Sequence, residues 1–249
     1  MKNIVIIGAS GHGSVVLDCI EKEGKYNVLG FVDSFKEKGT KQNGYEILGT
    51  ENDLLYLMEM FNIYGGIVAI GDNWTRKSVV DRISEIVPNF NFITSIHPSA
   101  IIGKDVQIGM GTIIMPGAIV NANSEVRGFC ILNTNASLGH DGVMDDFSSM
   151  ASGVRAGGNF HLGKYSVVCM GVIIIENVRI KEQTVIGAGS LVIKDVGGYV
   201  VAYGSPALIV RKRKAGDKYL SGNRNKTSVL PLMANTITDC PARLQEPYR

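Results

Sequence analysis

The 249-residue chain predicts two architectures in series: an α/β domain built on a small parallel sheet, then an all-β triangular solenoid. Three observations carry this prediction. Apolar runs alternate with helix-period segments as far as Ile96. From Ile96 every sixth residue is apolar through Val192, and the residue four places later in each hexad is small or β-branched.

In the first region "NIVIIG" reads as a strand and Gly11 to Glu23 as a helix. "NVLGFVD" is a second strand, Glu51 to Phe61 a helix, "GGIVAIG" a third strand, Arg76 to Val87 a helix and "NFNFITSI" a fourth strand. Strands that alternate with helices form parallel sheets covered by right-handed crossovers, so residues 1–95 are expected to be a Rossmann-like domain.

The second region follows a stricter rule. Ile96, Ile102, Ile108, Ile114, Val120, Val126, Leu132, Leu138, Met144, Met150, Ala156, Leu162, Val168, Ile174, Ile180, Ile186 and Val192 hold one register without a break. At the chain's 45% apolar background such a run has odds of roughly one in a million. The companion row, Ala100, Val106, Thr112, Ala118 and onward, has Phe160 as its bulky exception. One large and one small inward position per hexad, three hexads to a coil, describes a prism whose coils stack ~4.8 Å apart like strands in a sheet. Burial of each large inward side chain stabilises the stack by about 1.5–3 kcal/mol at most. This domain is expected over residues 96–214, with residues 215–249 as a loosely ordered tail that has no hexad register.

Bulk composition excludes several classes of partner. With 25 basic and 23 acidic residues the formal charge is +2, too small a field to argue for nucleic acid or a membrane surface. No apolar run reaches bilayer-spanning length and the N-terminus lacks a signal-peptide core, so a cytoplasmic location is expected. Cys19, Cys130, Cys169 and Cys240 are scattered without CxxC spacing, which predicts reduced, structural thiols rather than a zinc cage or disulfide framework. No metal is expected.

Two stretches carry candidate chemistry. In "LGHDG", His140 and Asp141 are the third and fourth residues of a hexad, at a turn between prism faces, so both side chains should point outward. A histidine beside a carboxylate can have its tautomer and basicity set, which suits a general base; a solvated corner residue is the plain alternative. In "GASGHG" (Gly8 to Gly13) glycines at a strand-to-helix turn let backbone N–H groups approach a pyrophosphate, with His12 as a further donor. Asp33, with Ser34 after it, ends the second strand where a ribose or base could be gripped, and Asn73 and Arg76 follow the third strand toward the same crevice. A tight strand–helix turn that binds nothing is the alternative for this motif.

These landmarks, with "FVDSFK", "AIGDNWTRK", "IHPSA", "ILNTNASLGHD" and "GSPA", resemble in order those of the PglD and NeuD type of nucleotide-sugar acetyltransferases, over Asn3 to about Lys212. That family belongs to the hexapeptide-repeat acyltransferases, and the resemblance implies a left-handed parallel β-helix, a homotrimer and active sites in the clefts between subunits. It implies that Gly8, Ser10, Gly11, His12, Asp33, Ser34, Asn73, Arg76 and Asn133 hold a nucleotide sugar, UDP-linked in preference to GDP-linked. His140 would be the base that deprotonates the 4-amino group of a 4-amino-4,6-dideoxy sugar, oriented by Asp141, as the nitrogen attacks acetyl-CoA. Ser149, Gly158 and Ala188 would line the acetyl-CoA site, with N–H groups near Gly158 facing the oxyanion and the basic run Arg211 to Lys214 near the phosphates. Where PglD-like relatives carry a second histidine nine residues after the base, this chain has Ser149.

Other readings compete with this one. An O-acetyltransferase acting on sialic acid or a similar sugar needs the same base. NAD could fill the first loop, but nothing downstream offers hydride chemistry. A γ-carbonic anhydrase on the same solenoid needs histidine spacings that His140 and His161 lack. A scaffold that binds nucleotide sugar without turnover is separated from the enzyme by replacing His140.

Overall fold

The computed structural model describes residues 1–219. The first domain is a six-stranded sheet made from β1 (Lys2–Ile7), β2 (Tyr26–Val32), β3 (Lys41–Gln42), β4 (Tyr45–Gly49), β5 (Ile63–Val68) and β6 (Asn91–Phe92), in the order β3-β4-β2-β1-β5-β6. All pairs are parallel except the β3–β4 hairpin. Its helices are α1 (Gly11–Glu23), α2 (Leu54–Phe61) and α3 (Asn73–Ile86). The strand order reverses at β1, so the crevice at the carboxyl ends of β1 and β5 is where such sheets take ligands.

Three elements differ from the sequence expectation, each for a local reason. The β3–β4 hairpin was readable from "QNGY", because Asn43 and Gly44 take φ 51° and 86°, the left-handed pair that an Asn-Gly hairpin turn requires. Helix α3 begins at Asn73 rather than Arg76 because the Asp72 carboxylate caps it, accepting from Thr75 N at 2.9 Å. The "NFNFITSI" run is split between two architectures. Its first half pairs with β5 as β6, whereas Ser95–Ile96 is the first strand of the solenoid.

The solenoid consists of seventeen two-residue strands, β7 to β23, from Ser95–Ile96 to Leu191–Val192, one for each hexad. They stack into three parallel sheets, each strand pairing with the one eighteen residues later. Face one carries Ser95–Ile96, Ile113–Ile114, Ile131–Leu132, Ser149–Met150, Val167–Val168 and Val185–Ile186. Face two runs through Ser137–Leu138, Arg155–Ala156 and Ile173–Ile174, and face three through Glu125–Val126, Val143–Met144 and His161–Leu162. Inward residues from Ile114 to Met150 are fully buried, and Phe160 is accommodated without exposure. The chain closes on an antiparallel hairpin, β24 (Val200–Gly204) and β25 (Ala207–Lys212), which extends face one.

The first domain is seated on face one. Helix α1 lies against it, with Cys19 Sγ donating to Ile114 O, and Ile113, Met115 and Ile131 belong to the same buried cluster as Ile4, Ile6, Val16 and Ile20. A second contact uses the corner between faces three and one, where Phe129, Phe147 and Tyr165 stack one coil apart with ring centroids 4.8 and 5.7 Å apart. Phe92 meets Phe129 edge-on at 5.1 Å and Trp74 meets Tyr165 at 5.5 Å.

Within the segment expected to be loose, Gly216 and Tyr219 are half-buried, and Tyr219 donates through its N–H to Asp72 and through its hydroxyl to Gly71 O, just before α3. The remainder of that tail, with Cys240, lies outside the described residues, as residues 220–249 do.

Candidate active site

Two centres arise from the sequence-predicted residues. The first is the loop after β1. Gly8 sits at φ 106°, and a Cβ on Gly13 would stand 2.2 Å from Gly8 O, so the turn and the close strand–helix packing both require glycine. Helix α1 has no side-chain cap at Ser10 and no acidic residue in its first turn, in contrast to α3, which Asp72 caps. Its leading N–H groups therefore remain available for an anion. The Asp33 carboxylate accepts from Ala9 N at 2.7 Å and from Phe35 N at 2.8 Å, so it orders the loop from behind. Ser34 donates to Glu51. His12 is half-buried, and its buried Nε2 has no hydrogen-bond partner among the described residues. Burial, and secondarily the Arg76 charge, push His12 down to about 4, so the ring is neutral at pH 7.

His12 opens onto a cavity of about 430 Å³ between the first domain and face one. Asn133, Ser149, Ser152 and Ala188 share its wall with His12, beside Met150, Val167, Cys169, Met170 and Tyr219. The structure thus brings residues expected at the sugar site and at the acyl-donor site to one cavity.

The second centre is the corner between faces two and three. Asp141 Oδ2 lies 2.6 Å from His140 Nδ1, and the histidine side chain is 63% exposed. With Asp141 ionised, Nδ1–H donates and Nε2 is left with its lone pair. A Cβ on Gly158, one coil later, would lie 2.4 Å from Nε2, so only glycine lets the ring lie there. One coil earlier Asn123 Nδ2 donates to the other Asp141 oxygen at 3.2 Å. The hydrogen bonds from His140 first and Asn123 second hold the Asp141 carboxyl below its ordinary range.

Some expected site residues do other work. Arg76 does not face the crevice: it is fully buried, with Nε donating to Phe129 O (2.9 Å), Nη1 to Ile70 O and Gly71 O (2.8 and 3.1 Å) and Nη2 to Phe147 O (3.3 Å). Nη2 also reaches Asn73 Oδ1 at 2.8 Å and Ser149 Oγ at 3.1 Å. Asn73 is equally spent, since its Nδ2 donates to Ser166 O and its Oδ1 accepts from Ser149 Oγ at 2.6 Å. These three residues clamp the first domain to the solenoid, and the Ser149 hydroxyl that lines the cavity is already committed as a donor. Carbonyl dipoles satisfy the guanidinium; burial brings Arg76 down to about 10, so it stays charged at neutral pH. Arg213, expected near phosphates, is also turned inward, donating to Gln183 O at 3.2 Å and to Asp217 O. Among the described residues no group of three His, Cys, Asp or Glu is arranged to hold a metal ion.

Residues 3–83 match the family described as the PglD N-terminal domain. The first domain therefore belongs to the PglD N-terminal domain family. The second half of the chain is a left-handed parallel β-helix. The chain is 34% identical over 117 residues to UDP-N-acetylbacillosamine N-acetyltransferase of Bacillus subtilis, a match that spans 46% of this chain and 52% of that protein, about half its length. It is 28% identical over 176 residues, 66% of this chain and 76% of the relative, to GDP-perosamine N-acetyltransferase of Escherichia coli O157:H7. PerB from Caulobacter crescentus, solved with CoA and GDP-perosamine, superposes with TM-score 0.79 at 29% identity, covering 85% of this chain and 98% of its own. The acetyltransferase domain of PglB from Neisseria gonorrhoeae, solved with acetyl coenzyme A, gives TM-score 0.77 at 27% identity over 84% and 99% of the two chains.

Two contributors to these centres were missed in the sequence. Asn123 was readable, because a coil is three hexads and Asn123 lies eighteen residues before Asp141 on the same corner. Tyr219 gave no signal, because it lies beyond the periodic register and reaches the cavity only through the chain's return.

Proposed function

We propose that this PglD-like protein transfers the acetyl group of acetyl-CoA to the 4-amino nitrogen of a nucleotide-linked 4-amino-4,6-dideoxy sugar. The observation that carries the reading is the His140–Asp141 pair at 2.6 Å, with Nε2 turned outward over Gly158. The neutral amine attacks the thioester carbonyl and forms the C–N bond. His140 Nε2 takes the proton that the nitrogen loses, Asp141 stabilises the resulting imidazolium, and the C–S bond breaks to release CoA, which recovers a proton from the imidazolium. The Gly158 N–H, which has no protein acceptor among the described residues, is the donor proposed for the tetrahedral oxyanion.

The uncapped start of α1 and the unpartnered Nε2 of His12 favour a diphosphate-bearing acceptor over a free sugar such as sialic acid. UDP is the nucleotide we propose, since the 34% relative is named for a UDP-linked sugar, although PerB holds a GDP-linked one. The cavity lies on face one and the corner after it, whereas His140 stands on the next corner, beyond face two. One protomer therefore presents the cavity and the base on different sides of the prism. This separation supports a homotrimer in which the His140 corner of one copy meets the cavity of the next. Supply of acetyl-CoA and nucleotide sugar places the reaction in the cytoplasm.

The test is thiol release from acetyl-CoA with UDP- and GDP-linked 4-amino-4,6-dideoxy sugars. Turnover with the UDP-linked acceptor, lost in His140→Ala with sugar binding retained, is the expected result. Absence of turnover with either acceptor, or an undiminished His140→Ala enzyme, overturns the reading.

A further inference from the structure

The cavity has one wall that the PglD-like resemblance does not supply. That resemblance ends at about Lys212, and the chain then turns back over the first domain as a strap. Arg213 anchors the strap, its N–H donating to Tyr199 O at 2.9 Å and its guanidinium to Gln183 O at 3.2 Å and to Asp217 O. Lys214 N donates to the Asp217 carboxylate at 2.9 Å, closing a tight turn. Gly216 passes directly over Trp74, so closely that a Cβ there would lie 3.0 Å from the indole. The strap then delivers Tyr219 to the loop after β5, where its N–H donates to Asp72 Oδ2 at 3.2 Å and its hydroxyl to Gly71 O at 2.9 Å. Asp72 is the residue that also caps α3, so its carboxylate fixes the helix start and the strap together.

Tyr219 lines the same cavity as His12, Gly71, Asn133 and Ser149. Its one hydroxyl proton is spent on Gly71, so what it offers the cavity is an apolar ring, next to Met150, Val167 and Met170. Burial drives its hydroxyl up to about 12, which keeps it neutral. Of the loop after β1, His12 lines the same cavity.

We propose that Tyr219 is a specificity-determining residue of the acceptor site: the strap holds its ring where the sugar sits, and the ring selects the methyl edge of a 6-deoxy sugar over a hydroxymethyl group. A hydroxymethyl at this wall would lose its water without gaining a hydrogen-bond partner, which is how an apolar pocket discriminates. The inference rests on the proposed acetyl transfer to a nucleotide-linked sugar.

The experiment measures kcat/KM of the full-length chain for a UDP-linked 4-amino-4,6-dideoxy sugar and for its 6-hydroxy counterpart, with the acetyl-CoA KM read in parallel. Tyr219→Ala is expected to cut the 6-deoxy preference by about tenfold or more, leaving the acetyl-CoA KM unchanged. Tyr219→Phe keeps the preference. Tyr219→His keeps a ring but offers the cavity a polar nitrogen; it should shift preference toward the 6-hydroxy sugar, and it carries the test if the alanine variant fails to fold. An unchanged preference in Tyr219→Ala and Tyr219→His, with normal turnover, overturns this inference alone. A raised acetyl-CoA KM with unchanged preference also overturns it, because the wall then faces the acyl donor. Loss of all turnover in the unmodified chain overturns the proposed function itself.

Discussion

Two corners of the prism meet the same backbone demand with opposite side chains. Each turn needs one residue in the left-handed region, φ near 60°. On the corner between faces two and three those residues are Asp105, Asn123, Asp141, Asn159 and Asn177, one per coil. Asn and Asp tolerate this conformation best after glycine, because a short polar side chain can bond locally. On the corner between faces three and one the equivalent residues include Phe129, Phe147 and Tyr165, for which the same conformation costs roughly 1–2 kcal/mol each. Their stacking on one another and against Phe92 and Trp74 offsets that cost. Within one protomer the polar corner is open to solvent and carries the His140–Asp141 pair, whereas the aromatic corner is covered by the first domain. A strained turn is tolerated in an all-L chain either because the side chain relieves it locally or because docking outweighs it.

The comparison breaks most sharply in catalysis. On the polar corner His140→Ala should lower kcat/KM by ~10²–10⁴ while melting temperature stays within a few degrees, because the side chain is mostly exposed within its own protomer. Acetyl-CoA turnover and a thermal melt on the same sample check both halves. An unfolded His140→Ala chain would mean that this corner, too, is held by its side chains.

On the aromatic corner the largest effect is expected from Arg76→Met, and in stability rather than chemistry. Removing the guanidinium leaves several buried carbonyls without a donor, at ~1–3 kcal/mol each, so a loss of roughly 4 kcal/mol and about 10 °C in Tm is expected. Urea unfolding measures it. A variant as stable as the parent would show that water replaces the arginine and that the clamp is not what fixes the first domain.

Phe147→Ala should cost about 1–2 kcal/mol, less than a core phenylalanine, since the ring is half-buried. Phe147→Gly, which loses the same stack but relaxes the left-handed strain, should recover roughly 1 kcal/mol of that. A glycine variant less stable than the alanine variant would remove strain from the account of this corner.

The smallest effect sharpens the polar side. Asn123→Ala removes one of the two hydrogen bonds that depress the Asp141 carboxyl, so that group should titrate nearer its ordinary value of 3.8. A carboxyl whose pKa is lowered by folding stabilises the fold above its ordinary pKa, and that contribution disappears as pH falls through the lowered value. An NMR titration of the Asp141 carboxyl should therefore show its midpoint at higher pH in Asn123→Ala, with kcat lowered less than about tenfold at pH 7. An unchanged midpoint would remove Asn123 from the positioning of the pair.

Much of this was legible in the residues themselves. A six-residue period is a local rule repeated seventeen times, and an eighteen-residue coil follows from it, so the prism, its inward row and the outward placement of His140 needed no coordinates. The glycines of "GASGHG" were readable for the same reason, since a positive φ and a close helix–strand approach exclude a Cβ. Arg76 and Asn73 were misread because their position after β5 fits a ligand site, whereas their partners Phe129, Phe147, Ser149 and Ser166 come from coils far along the chain. Tyr219 was invisible because its place depends on a strap returning to Gly71 and Asp72, nearly 150 residues earlier. Periodicity reports what a residue shares with its own coil or strand. Which buried polar groups satisfy one another across the two domains is decided by packing, because an orphaned carbonyl or guanidinium can be matched only once the folded chain brings a distant partner within hydrogen-bond reach.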